Sequence, residues 1–242
     1  FIRDGMATSA VLLRMGESQV ARDYLAWYSE HGVHANGLVS PILNDDGSVN
    51  TGFGSDIEYD SQGQYIALVA DVARLDGGPE SVRAYLPKVK AAMRFLQELR
   101  ERTLVPGYMA SQPSPERFAG ILAPSISHEG YPSPTHSYWD DYWGLKGWHD
   151  GAWLAESLGD HETAAWARDQ YTALHDALAA SIRATMAWKG IDFIPSSADL
   201  GDGDPTGVSI ALDPTGAQDV LPAEALRTTF ARYLQDVRKR GE

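Results

Sequence analysis

Helical periodicity runs through nearly the whole chain, and the connections between the helical stretches alternate between very short and very long. Apolar residues recurring at three- and four-residue spacing mark one face of an α-helix. They predict helices over 5–15 (Met6, Ala10, Leu13), 18–31 (Val20, Tyr24, Trp27, Tyr28), 61–75 (Tyr65, Leu68, Val72, Leu75) and 80–103 (Val82, Leu86, Val89, Met93, Leu96). The pattern continues over 138–158 (Tyr138, Trp139, Leu145, Trp148, Ala152), 161–188 (Trp166, Tyr171, Leu174, Leu178, Ile182), 205–212 and 222–239 (Leu226, Phe230, Tyr233, Leu234). Pro87 is expected to kink the fourth of these helices. Strand patterning is almost absent, so the expected fold class is all-α.

Gly16-Glu17, Asp76-Gly77-Gly78-Pro79 and Gly159-Asp160 read as tight turns in which glycine supplies the C-cap, whereas 32–59, 104–137 and 189–204 are long. In a run of antiparallel helices every second connection emerges at the same end, so the long loops are expected to share one face. Loops beyond about 15 residues in a compact domain are usually functional. Pairs in which one helix is short or rich in small residues and the next is long and amphipathic suit a two-layer ring. The inner helices would then be 5–15, 61–75, 138–158 and 205–212, and their starts would bring Arg3 and Asp4, Glu58 and Asp60, Asp140 and Asp141, and Asp202 and Asp204 to one end. Each acid alone also reads as an N-cap or first-turn residue, satisfying orphan backbone N–H groups and the helix dipole. Several on one face read as a site.

With 20 Lys+Arg against 33 Asp+Glu in 242 residues, the formal charge is −13. Such a surface repels phosphate backbones and anionic lipid, so neither nucleic acid nor membrane is an expected partner. No apolar run approaches the roughly 20 residues needed to span a bilayer. The absence of cysteine excludes disulfides, thiolate metal sites and a cysteine nucleophile, and leaves the compartment open, a secreted or periplasmic one included. The chain opens at Phe1-Ile2-Arg3-Asp4 and closes near Arg238-Lys239-Arg240, so it is expected to be part of a longer polypeptide.

The densest chemistry lies in Ser125-Ile126-Ser127-His128-Glu129-Gly130-Tyr131 and Thr135-His136-Ser137-Tyr138-Trp139-Asp140-Asp141-Tyr142-Trp143. Aromatic rings stack on the C–H faces of sugars, and carboxylates bind hydroxyls or move protons. A carbohydrate ligand suits this mixture. Trp143, Trp148 and Trp153 read as core, while Tyr138 and Trp139, at the helix mouth, are expected to face ligand. Glu129 sits in a loop between small residues where no cap needs it; desolvated among Tyr131, Tyr138 and Trp139 it would stay protonated and could donate to a leaving oxygen, and left in solvent it would be an ordinary loop acid. His128, His136 and His149 match no metal-ligand spacing, and GxSxG, P-loop and GxGxxG motifs are missing, so no metal or cofactor is expected. His136 is expected to bond Asp140 or Asp141.

Three segments resemble the six-hairpin glycosidases, the (α/α)6 toroids, and most closely the glucoamylase-like inverting glycoside hydrolases, of which the chain looks like a divergent relative. Arg3-Asp4, with Ala7 and Leu12-Leu13-Arg14-Met15-Gly16 after it, is similar to that family's Arg-Asp at the start of the second helix. Glu58-Tyr59-Asp60-Ser61-Gln62-Gly63-Gln64 is similar to its Asp-x-x-Gly-Glu/Gln element at the start of the fourth. Glu129 through Trp143 resembles its general-acid loop followed by an aromatic sixth helix, and Asp204 through Leu212 resembles its short eighth helix. His128 stands where the family often has Trp, and Tyr138-Trp139-Asp140-Asp141 departs from its usual sequence.

The resemblance implies an incomplete toroid, about helices two to nine of twelve, with 1–242 belonging to a single catalytic domain whose remaining helices, and the catalytic base, lie outside the chain. It implies Glu129 as general acid, and Arg3, Asp4, Asp60, Gln64, Tyr138, Trp139 and Asp140 as substrate-binding residues. The implied reaction is hydrolysis of a glycosidic bond of an oligo- or polysaccharide with inversion, which requires a second carboxylate roughly 6.5 to 9.5 Å away to activate water. Two alternatives remain: an inverting sugar phosphorylase on the same toroid, and a non-catalytic carbohydrate-binding scaffold.

Overall fold

The computed structural model describes residues 1–51, 58–127 and 130–241. Among these the protein is all-α: eight α-helices and three short 3-10 turns, with four isolated β-bridges and no strand. In chain order the helices are α1 (Ile2–Met15), α2 (Ser18–His31), α3 (Ser61–Leu75), α4 (Leu86–Thr103), α5 (Tyr138–Ser157), α6 (His161–Lys189), α7 (Pro205–Ser209) and α8 (Ala223–Arg240). The chain forms two compact units, Phe1–Leu99 with Trp143–Thr172 and Arg100–Tyr142 with Ala173–Glu242, so α4, α5 and α6 each contribute to both.

In the first unit α1 packs on α2 and on α3. The α1–α2 turn forms because Gly16 adopts φ 85°, which an L side chain resists, letting Glu17 N donate to Leu12 O at 2.9 Å. α3 is buried almost all round, from Ser61 through Ala70, as its small and apolar sequence requires. It crosses α5 closely. A Cβ added to Gly63 would lie 2.0 Å from the Trp143 carbonyl oxygen, and one added to Gly147 would lie 3.0 Å from Gly63 Cα. Only glycine at both positions lets the two backbones approach this far. On the outer side, Lys90 pairs with Asp160 at 2.8 Å and Trp166 Nε1 donates to Gln97 at 2.9 Å, so α4 and α6 run side by side in the same direction.

In the second unit the long loops 104–137 and 189–204 hold each other. Arg117 is fully buried, its guanidinium 4.1 Å from the Phe118 ring centre and 3.8 Å from that of Trp188, with Nε donating to Ala198 O at 2.8 Å. Burial lowers the pKa of this guanidinium. Asp204 caps α7 by accepting from Thr206 N at 2.9 Å and Gly207 N at 3.2 Å.

Three expectations change. Pro87 kinks nothing: a 3-10 turn over Pro79–Tyr85 precedes it, and it occupies the first turn of α4, where its missing N–H is no loss. The helix at 205–212 ends at Ser209, because Ala211 and Leu212 bond three residues back instead of four. α1, expected as an inner helix, is covered on one face only, through Ile2, Met6, Ser9 and Leu13, while Val11 and Met15 are exposed.

Candidate functional site

Buried polar side chains gather in two places, one in each unit. In the first, the starts of α1 and α3 meet. Arg3 places its guanidinium 3.6 Å from Asp60 Oδ2 and 4.0 Å from Glu58 Oε2; both acids are buried, while Arg3 keeps 23% of its side chain exposed. Gln64 Nε2 donates to Asp60 Oδ2 at 2.7 Å, and Gln64 Oε1 is buried without a hydrogen-bond partner among the described residues. The loop after α2 closes on the same spot, with Ile2 N donating to Pro41 O at 3.0 Å. A half-open guanidinium with carboxylates and an unsatisfied amide oxygen behind it is suited to holding vicinal hydroxyls. Asp60 stands at the N-cap position of α3, but among the described residues its side chain makes no capping bond to a backbone N–H. Asp4 is exposed, beside Tyr24, whose hydroxyl is pushed up first by burial and then by the Asp4 charge.

In the second unit the site is the start of α5 and the loop before it. Ser125 pairs with Thr135 through both backbone bonds (3.1 and 2.7 Å), closing 126–134 into a loop. Its feet are tied to the coming helix: Ser125 Oγ donates to Asp140 Oδ2 at 2.6 Å, and Ser127 Oγ donates to Ser137 Oγ at 3.0 Å. Ser127 holds φ 56°, an unfavourable conformation for a residue with a side chain, kept by its backbone N–H donating to Ser125 Oγ at 2.7 Å. His128 and Glu129, the expected acid, lie outside the described residues. Beyond them, Tyr131 donates to Asp202 Oδ2 at 3.1 Å, while Ser197 donates to Asp202 Oδ1 at 2.5 Å. Asp202 is thus held but half-open, in contrast to Asp204, which is committed to capping α7.

At the first turn of α5, Asp140 and Asp141 are both about 1% exposed. Asp141 accepts from Leu122 N at 2.8 Å through Oδ1, and its Oδ2 has no partner among the described residues; burial pushes this carboxyl well above its usual range, against the opposing hydrogen bond. The adjacent Tyr142 hydroxyl is likewise buried without a partner and is pushed up by burial, then by Tyr138, Asp141 and Tyr131.

The aromatic expectation at the helix mouth is corrected. Tyr138 is fully enclosed, its hydroxyl bonded to Ser181 and Thr185 of α6, both at 2.8 Å, and Trp139 is 6% exposed. Neither offers an open ring face, because small hydroxyl residues on α6 make room for the Tyr138 ring and satisfy its oxygen. His136 is also corrected: it bonds neither Asp140 nor Asp141. Its Nδ1 faces Asp199 Oδ2 at 2.9 Å and its Nε2 faces the Tyr108 hydroxyl at 2.7 Å. Burial raises the Asp199 pKa, but the hydrogen bonds and charge of His136 outweigh it and leave the carboxyl below its ordinary value. Local sequence carried no signal for this chain of contacts, since His136 and Asp199 stand far apart in loops without periodicity.

Among the described residues no three His, Asp or Glu side chains come together as a metal-ion set, and no helix is long and apolar enough to cross a membrane. Compared with known proteins, the chain matches no family model and no curated protein.

Proposed function

We propose that this protein serves as an inverting glycoside hydrolase, with Glu129 as general acid and Arg3, Asp60 and Gln64 as hydroxyl-binding residues, on helices ordered as in an (α/α)6 toroid. The observation that carries the reading is the loop 126–134, closed by the Ser125–Thr135 pair and anchored to the first turn of α5 through Asp140 and Ser137. General acid catalysis needs a positioned acid, and the described residues that flank Glu129 in sequence are tied down: Ser125 and Thr135 to each other, and Ser125 to Asp140 of α5. The near-complete burial of α3 and α5, beside the one-sided burial of α2 and α4, supports the inner and outer layers of such a ring.

In the proposed mechanism the acid protonates the glycosidic oxygen as the bond breaks, and water, giving its proton to a second carboxylate acting as general base, attacks the opposite face of the sugar. Arg3, backed by Asp60 and Glu58, would fix the hydroxyls of the terminal sugar, with Gln64 Oε1 accepting from one of them. Tyr138, being enclosed, is assigned to holding α5 on α6 instead of to the ligand. The test is early-time proton NMR of the sugar released by the intact protein from neutral oligosaccharides. The expected first product is the anomer opposite to the bond cleaved. Retention of configuration, or no hydrolysis of any glycoside, would overturn the reading.

A further inference from the structure

The parallel helices α4 and α6 leave a groove of about 370 Å³ between them, lined by Lys90, Arg94 and Gln97 from α4 and by Glu162, Thr163 and Trp166 from α6. A second hollow, lined by Arg83, Leu86 and Pro87, shares Lys90 and Arg94 and extends the groove along α4. The three α4 residues are four and three apart and so stand on one helix face.

Trp166 sits at this groove half-buried. Its Nε1–H is fixed by Gln97 Oε1 at 2.9 Å, and the buried Trp148 ring meets it edge-on at 5.2 Å between centres, so the ring cannot swing. A rigid indole left half-open on a solvent-facing helix is a ready stacking surface. Around it, Lys90 is already neutralised by Asp160, and Thr163 is engaged with the same carboxylate. Arg94 and Glu162 are exposed and enter no hydrogen bond or ion pair among the described residues. One free cation and one free anion balance, so the groove selects no charged ligand. Both are planar groups able to bond two hydroxyls at once.

We infer that this groove is a second carbohydrate-binding site, taking a neutral oligosaccharide with one sugar stacked on Trp166 and adjacent hydroxyls held by Arg94 and Glu162. The sugar class rests on the glycosidase reading, whereas the groove rests on its own residues. It contains none of the residues assigned to hydrolysis, so it serves to hold a long substrate on the protein.

The experiment uses the full chain and four probes: the hexasaccharides of α-1,4-glucose, β-1,4-glucose, β-1,4-mannose and β-1,4-xylose. Binding is followed by tryptophan fluorescence and by calorimetry. At least one probe is expected to bind, with affinity reduced about tenfold or more in Trp166→Ala, equal to roughly 1.4 kcal/mol, largely retained in Trp166→Phe, and reduced severalfold in Arg94→Ala and Glu162→Ala. The last two alter exposed side chains and keep the test decisive if Trp166→Ala fails to fold. Hydrolysis of a short aryl glycoside should be unchanged in all of them. Binding that needs Trp166 in a protein that cleaves no glycoside would sustain the groove while sinking the glycosidase reading. No binding by any probe, or binding indifferent to Arg94 and Glu162, would overturn the inference.

Discussion

Of the three buried carboxylates on helix α5, Asp150 and Asp141 have opposite fates. Asp150, in the body of the helix, is met by Arg74 and Lys146, each at 2.6 Å, and by His149 at 3.2 Å. Burial raises its pKa, but those partners outweigh the effect and hold it at about 2. Asp141, in the first turn, meets one backbone N–H and no cation, and burial drives it the other way. Depth is the same and partners differ. A carboxylate with matched cations is a structural tie, whereas one without them holds its proton to higher pH. Groups without a hydrogen-bond partner among the described residues (Asp141 Oδ2, the Tyr142 hydroxyl, Trp143 Nε1) cluster in the first two turns of α5, whereas Asp150 farther along is met by cations.

Removing the compensated acid should do the most damage. Asp150→Ala strips Arg74 and the mostly buried Lys146 of the carboxylate they share, at a cost of about 3 kcal/mol as for other broken buried pairs. The contribution follows pH with a fixed sign. Because the folded pKa lies below the usual 3.8, stability from Asp150 is present above that value and is lost as pH falls toward about 2. Urea unfolding from acid to neutral pH should show this limb in the wild type and not in the variant. An equal limb in both would break the contrast.

A smaller effect is expected between the two carboxylates, where α3 crosses α5. Gly63→Ala adds a methyl 2.0 Å from the Trp143 carbonyl oxygen, against backbone that cannot rotate away. The helices must separate, at roughly 1 to 3 kcal/mol, read as a lower thermal midpoint. An unchanged midpoint would show that the crossing is looser than described.

The subtlest prediction concerns Asp141→Asn, which keeps the bond from Leu122 N and removes the titration. Asp141 is raised in the folded state, so the fold holds a proton that the unfolded chain gives up above the usual value, and stability falls as pH rises through that range. The asparagine variant should therefore gain on the wild type as pH rises above the usual 3.8. A variant that loses ground over that range would mean an ionised Asp141 with a partner.

Helix positions were legible because each element repeats its apolar residues at its own period, and the glycine turns at Gly16, Gly77 and Gly159 punctuate them. The meeting of Arg3 with Asp60 was legible for the same reason: alternating turns fix which helix ends coincide. Enclosure of Tyr138 was not, since the room for it comes from Ser181 and Thr185, which look like surface residues of an amphipathic helix. Nor were the partners of His136 and Asp202, which depend on how two aperiodic loops fold against each other.

The central claim is that Glu129 delivers the proton to a departing sugar oxygen. Its most direct test is kcat for Glu129→Gln in the intact protein on a natural oligosaccharide and on the matching glycosyl fluoride. The amide keeps shape but has no proton to give, so kcat on the natural substrate should fall by at least about 10², with little change in affinity. Fluoride leaves without help, so that substrate should be largely spared. Equal losses on both substrates would contradict acid catalysis and return Glu129 to binding or structure.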